Sequence, residues 1–226
     1  MDRTTGPISR RERPAKPALT RAGIVGTALA LMRDEGVERV TMRRLAKELD
    51  TGPASLYVYV RDTDELHAAV LDELLAEVDL SPVGSGLPWR ERLHTVLDSY
   101  TNLLFAHPSL ARTAVVTRPS GPNYLALVEA LLQLLHQGDV PADRAAWGVD
   151  LVLQVCTANA AEHGSRTGSA DARDFRDLAS AIRTAPADTY PAIADSAEDL
   201  LSGAPEQRRH WRYDVLIAGV LNTPRP

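Results

Sequence analysis

Residues Thr41 to Tyr59 read TMRRLAKELDTGPASLYVY, and this stretch decides the fold. A helix starts at Thr41, whose hydroxyl is suited to cap free backbone N–H groups. Met42, Leu45, Ala46 and Leu49 then recur at i, i+3, i+4 and i+7, one apolar stripe on one face. Asp50-Thr51-Gly52 breaks that period with turn residues, and Pro53 presets φ at the first position of a second helix. The second helix, read as Pro53 to Tyr59, is about two turns long and too short to stand alone in water. A short helix held against a longer one across a tight turn is the shape that places a helix in the major groove of DNA.

The flanks extend the same pattern. Thr20 is a cap and Gly36 a natural terminator for a first helix whose core face is Ile24, Val25, Ala28, Leu31 and Met32. Val37 and Val40 bridge it to Thr41. After Val60, Asp62 and Glu65 stand at capping-box spacing, and Leu66, Val70, Leu74 and Val78 carry a fourth helix to about Leu80. Ser81 to Pro88 holds two prolines and two glycines, the boundary expected between head and body. Further helices are read at about 89–106, 108–116, 121–137, 141–163, 173–184, 191–202 and 205–221, with a small polar loop over Gly164 to Asp174. No stretch alternates at period two, so the expected class is all-α. The organisation reads as a flexible basic arm over 1–19, a helix-turn-helix domain over 20–66, and a helical effector-binding and dimerisation domain over 67–226. The fourth helix, 63–80, joins the two domains.

Bulk properties narrow the function classes. The 226 residues carry a net charge of −5, but unevenly: through Arg61 there are 12 Lys+Arg against 7 Asp+Glu, and from Asp62 onward 13 against 23. A basic head on an acidic body suits a protein that presents one end to a polyanion. No run is apolar enough for a membrane span, and the Arg-bearing N-terminus lacks the apolar stretch of a secretory signal. The single cysteine, Cys156, fits buried packing in a reducing cytoplasm. Two segments, 141–163 and 205–221, are apolar nearly all round and require cover on every side, which a second copy of the chain or ordinary core packing would supply.

From Thr20 to Val70 the chain resembles the N-terminal domain of the tetracycline-repressor (TetR) family of bacterial regulators. The segments that carry the likeness are DEGVERVTMRRLAKEL, ASLYVYV and DTDELHAAVLDEL. At lower similarity it extends to Trp89 opening a helix, to Thr117-Arg118-Pro119 and to Gly138. The resemblance implies an all-α homodimer on a near-palindromic double-stranded DNA operator, with a pocket in each body for a small molecule that releases the DNA. Three departures stand out. Asp50 replaces the usual turn glycine, Thr63 replaces a phosphate-gripping lysine that Arg61 could replace in function, and Ala114 stands where tetracycline repressors place a metal-binding histidine. Glu162 alone reads as a surface carboxylate. A magnesium–tetracycline chelate is therefore not the expected ligand.

Carried over residue by residue, the candidate DNA contacts are Thr41, Met42, Arg43, Gly52, Pro53, Ala54, Ser55, Tyr57, Val58, Tyr59, Arg61 and Thr63. Arg43 is suited to a bidentate guanine contact, Ala54 to a thymine methyl, Ser55 to a base edge, and the two tyrosines to phosphates or to half-buried packing. The candidate effector pocket lies between the fourth helix and the helices starting near Trp89, Gly121 and Pro141, with His67, Leu103, His107, Val116, Trp147, Leu151 and Gln154 as lining. The six histidines show no metal spacing, and neither a nucleophile elbow nor a phosphate-binding glycine loop is present, so no catalytic residue, metal or cofactor is expected. The rival readings are a helical ligand-binding protein whose basic head contacts another protein, and an activator in place of a repressor.

Overall fold

In the computed structural model, which describes residues 18–117, 119–165 and 169–226, every regular element is helical. The basic arm lies outside the described residues as far as position 17.

The head is built from α1 (Arg21–Glu35), α2 (Met42–Glu48), α3 (Pro53–Leu56) and the start of α4 (Thr63–Leu75). Its boundaries follow local chemistry. Thr20 Oγ1 accepts the Gly23 N–H at 3.1 Å, Thr41 Oγ1 accepts the Arg44 N–H at 3.2 Å, and an Asp62 carboxylate oxygen accepts the Glu65 N–H at 2.8 Å. Glu65 reaches back one residue further than a capping box requires and accepts the Arg61 N–H at 2.8 Å. α2 ends in a Schellman turn: Thr51 N–H donates to Ala46 O and Asp50 N–H to Lys47 O, with Asp50 in the left-handed region at φ 49°. Glycine is the usual occupant of that position; aspartate is one of the few other residues that tolerates it.

Two helices are shorter than their periodicity suggests. The helix read to Tyr59 ends at Leu56, after one turn. Tyr59 and Val60 both donate backbone N–H groups to Leu56 O, closing a turn in place of further helix. What holds this turn is burial, since Leu56 and Val60 are fully enclosed in the core. α4 stops at Leu75, not Leu80. Its last amides tighten to i−3 bonds, and the chain passes into a 3-10 turn at Ser81–Gly84, anchored by Asp79 accepting the Ser81 N–H and donating its own to Ser99 Oγ.

The body contains α5 (Trp89–Ala106), α6 (Pro108–Val116), α7 (Pro122–Gln137), α8 (Ala142–Ser165), α9 (Ser169–Arg183), α10 (Pro191–Leu201) and α11 (Pro205–Asn222). Proline opens α6, α7, α10 and α11, where its missing N–H costs nothing. α8 is central, packed by α5, α6, α7 and α11, while α9 packs chiefly on α10. α9 begins at Ser169, so residues 169–172, read as loop, are helical. Trp89 lies so close to Gly138 that a Cβ there would fall 2.4 Å from the indole ring. The core also encloses Cys156, whose thiol burial pushes up to about 11, well away from reactivity at neutral pH.

The seam between α5 and α11 is polar. His210 Nε2 and Arg209 Nε meet the Asp98 carboxylate at 2.6 and 2.7 Å, and His94 lies 3.1 Å from Asp214, its ring 5.2 Å from that of His210 and edge-on to Tyr213. Burial holds the His94 imidazole below its ordinary value of 6.5 against the pull of Asp214, with the His210 ring adding to the depression and Asp98 opposing it. The unfolded chain therefore binds the proton more readily, so the stability His94 contributes is full above about 6.5 and declines as pH falls through its lowered folded value. The melting temperature is expected to fall between neutral pH and pH 5 (about the acid end of histidine titration), and His94→Gln to flatten that slope; an unchanged slope would remove His94 from the seam's acid response.

Candidate nucleic-acid interface

The head turns its small residues outward. Gly52, Pro53, Ala54 and Ser55 are all exposed on the leading turn of α3, and Val58 is 79% exposed beside them. Small side chains at a helix start let backbone and Cβ atoms approach base edges closely. Tyr57 is 54% exposed, whereas Tyr59 is half-buried against the core and offers only its outer edge. Thr41 is exposed and its hydroxyl caps α2; Thr63 is half-buried at the first position of α4.

The adjacent arginines on α2 have opposite environments. Arg44 is clamped between two acids, 2.6 Å from Glu35 and 2.7 Å from Glu48, and its guanidinium holds the Glu35 carboxyl below the usual carboxylate range. Arg43 is exposed and, among the described residues, makes no hydrogen bond or ion pair. One arginine orders the helix and the other is left free to face a partner. Met42, taken from the sequence as a contact residue, is corrected: it is only 5% exposed and its side chain belongs to the head's core. Arg61 is exposed but bonded through Nε to Glu65 at 3.0 Å, leaving the outer guanidinium nitrogens available.

The seven residues read as one pocket do not come together. Gln154 lines an inner cavity of about 250 Å³ between α4, α5, α6, α7 and α8, together with Leu71, Leu75, Tyr100, Ala114, Tyr124, Leu153 and Thr157. His67 and Val116 line a separate cleft between head and body, where His67 Nε2–H donates to Val40 O at 2.9 Å. Trp147 and Leu151 lie on the outer face of α8, lining a groove with Val215, Leu216 and Gly219 of α11. Leu103 packs on the core and His107 precedes α6; neither lines any of these three spaces.

The inner cavity carries polar groups that sequence reading missed. Tyr100 and Thr157 share a 2.7 Å hydrogen bond on its wall, and Thr157 also donates to Leu153 O. A buried tyrosine hydroxyl demands a partner, which was the available signal, although the sequence does not say on which helix that partner lies.

A head that presents one short turn and one free arginine, joined through α4 to a helical body with an inner cavity, is the architecture of a DNA-binding regulator with a sensor domain. Residues 24–70 match the family model for bacterial regulatory proteins of the tetR family, and residues 84–222 match the tetracycline repressor-like C-terminal domain. The chain belongs to the TetR family of DNA-binding transcriptional regulators. It is 33% identical over 184 residues to an HTH-type transcriptional regulator of Saccharopolyspora erythraea, covering 79% of this chain and 75% of that one. Among solved structures, a candidate transcription regulator from Streptomyces aligns at TM-score 0.79 and 55% identity, over 93% of this chain and 98% of the other. The Streptomyces coelicolor TetR family protein ActR, in complex with actinorhodin, aligns at TM-score 0.78 and 36% identity, over 91% and 96%. These relatives are regulators, and none is described as an enzyme. Among the described residues no helix is long and apolar enough to cross a membrane, and no group of three or more His, Cys, Asp or Glu is placed to hold a metal ion.

Proposed function

We propose that this chain is a cytoplasmic repressor that grips a near-palindromic operator as a homodimer and lets go when a small molecule fills the inner cavity. The observation that carries the DNA half is the pairing of the exposed Gly52–Ser55 turn with the unpartnered Arg43 on one surface. Thr41, Tyr57, Tyr59, Arg61 and Thr63 then flank that surface at positions suited to phosphates. The dimer half is supported by the outer faces of α8 and α11, which leave Trp147, Leu151, Trp211 and Val215 exposed in a single chain. Burying such a face against its own copy is the usual resolution for a patch of this kind.

The effector is a small molecule that combines apolar surface with hydroxyl or carbonyl groups. Leucine walls supply apolar surface, while Tyr100, Tyr124, Gln154 and Thr157 supply a few placed polar groups. Actinorhodin bound to the similar ActR supports this class. Ala114 on the cavity wall offers no ligand to a metal, which argues against a metal–drug chelate.

The test is fluorescence anisotropy with duplex DNA from upstream of the chain's own gene, across a salt series and against a scrambled duplex. Log K is expected to fall by about 0.9 per phosphate neutralised for each unit of log salt, with preference for one sequence. Arg43→Ala is expected to cost about 1–3 kcal/mol of operator affinity and to relax preference at one base pair. Affinity unchanged in that variant would remove Arg43 from the interface, and no binding at low salt would overturn the assignment of this surface.

A further inference from the structure

α7 starts without a side-chain cap of its own. Gly121 stands at the cap position and Pro122 has no N–H, which leaves the amides of Asn123 and Tyr124 to be satisfied from elsewhere. Asp72 of α4, only 6% exposed, supplies the acceptor. Its Oδ1 accepts the Tyr124 N–H at 2.9 Å, and its Oδ2 lies 3.4 Å from both the backbone N and the Nδ2 of Asn123. The approach is close enough that a Cβ on Gly121 would fall 2.1 Å from Oδ2, so any larger residue there would push the Asp72 carboxylate off the α7 terminus. A carboxylate at the positive end of α7 is thus a charge-assisted cap contributed by a different helix.

Its position gives this cap a consequence. On α4, Leu71 and Leu75 wall the inner cavity, which Tyr124 of α7 also lines. Asp72 and Gly121 themselves face the cleft on the head side. Earlier on the same helix, Leu66 is enclosed in the shared core, His67 bonds the Val40 carbonyl, and Glu65 holds Arg61 and Arg21. α4 is therefore fastened to the head at its start and to α7 at its middle.

We propose that Asp72 is the positioning residue that couples the inner cavity to the DNA-binding head, by tying the first turn of α7 to α4. An occupant that displaces Tyr124 drags the α7 terminus, and Asp72 passes the displacement into the helix that sets the head's orientation. This rests on the inner cavity being the effector site, but the test requires no effector. Coupling between two sites is reciprocal, so DNA on the head must be felt at the α7 terminus.

The experiment is amide hydrogen exchange over Asn123 to Leu127 in the full chain, with and without a saturating duplex selected by the wild-type protein from a random pool. In the wild type, DNA is expected to slow exchange there by about fivefold or more. Asp72→Ala binds the duplex yet shows no DNA-dependent change at α7, and Asp72→Asn, which keeps one acceptor oxygen, recovers part of it. Destabilisation alone raises exchange equally with and without DNA and does not abolish the difference. If Asp72→Ala does not fold, Asp72→Leu, which keeps volume without acceptors, gives the same reading. A wild type indifferent to DNA at α7, or an alanine or leucine variant that responds as the wild type does, overturns the proposal. A cavity that binds no small molecule leaves this result unaffected, so the two readings fail separately.

Discussion

Replacing Leu151 with aspartate is expected to convert the proposed homodimer into folded monomers. Leu151 is 40% exposed in the single chain, on the same outer face of α8 as Trp147 and next to Val215 and Gly219 of α11. In a lone chain the new carboxylate meets water and costs little. In a two-fold dimer the same residue is buried twice, and each uncompensated charge costs about 3–5 kcal/mol. Two of them, about 6–10 kcal/mol, weaken association by roughly four orders of magnitude or more. Sedimentation at micromolar concentration reads the outcome directly, with the helical circular dichroism signal as the control for folding. Operator affinity falls with it, because one head then grips one half-site. A variant that remains dimeric would show that α8 and α11 are not the interface.

Leu56→Ala is the second large effect. α3 is one turn long and has no side-chain cap, so neither propensity nor capping holds it. Leu56 is 0% exposed, and its truncation is expected to cost about 2–5 kcal/mol, a large fraction of a domain's usual margin of about 5–15 kcal/mol. The loss concentrates in the head, so exchange of the amides of Tyr59 and Val60, which close on Leu56 O, rises and sequence-specific binding disappears. Val58→Ala, two residues away on the open face, is the contrast: stability is expected to change by less than about 0.5 kcal/mol. Equal destabilisation by the two substitutions would mean that the turn is not held by Leu56.

The two experiments divide the molecule as its sequence does. Leu56, with Val60, reads from the sequence as inward-facing scaffold beneath a helix too short to stand alone. Leu151 reads as apolar, which fits an effector pocket as well as it fits an outward-facing interface. The difference is one of range. α8 is apolar on several faces, and periodicity alone does not say which face meets α5, α6 and α7 and which is left for another copy.

Sequence by itself determined whatever depends on neighbours within about two helical turns. Thr20, Thr41 and Asp62 cap the helices that follow them, Gly36 ends α1, and prolines open four helices of the body. The helix-turn-helix, the all-α class and the apolar stripes of α1, α2 and α4 follow from such local rules. Tertiary structure decided what depends on how helices are rotated and stacked. It withdrew Met42 into the core while leaving Arg43 free, ended the recognition helix at Leu56, and distributed seven expected pocket residues among three spaces, the core and the start of α6. It also placed Asp72, an acid on the buried face of α4, at the start of α7, where two amides lacked partners. Caps and stripes come from hydrogen bonds and side chains a few residues apart, whereas cavities and cross-helix caps join positions some 50 residues apart, and only packing brings those together.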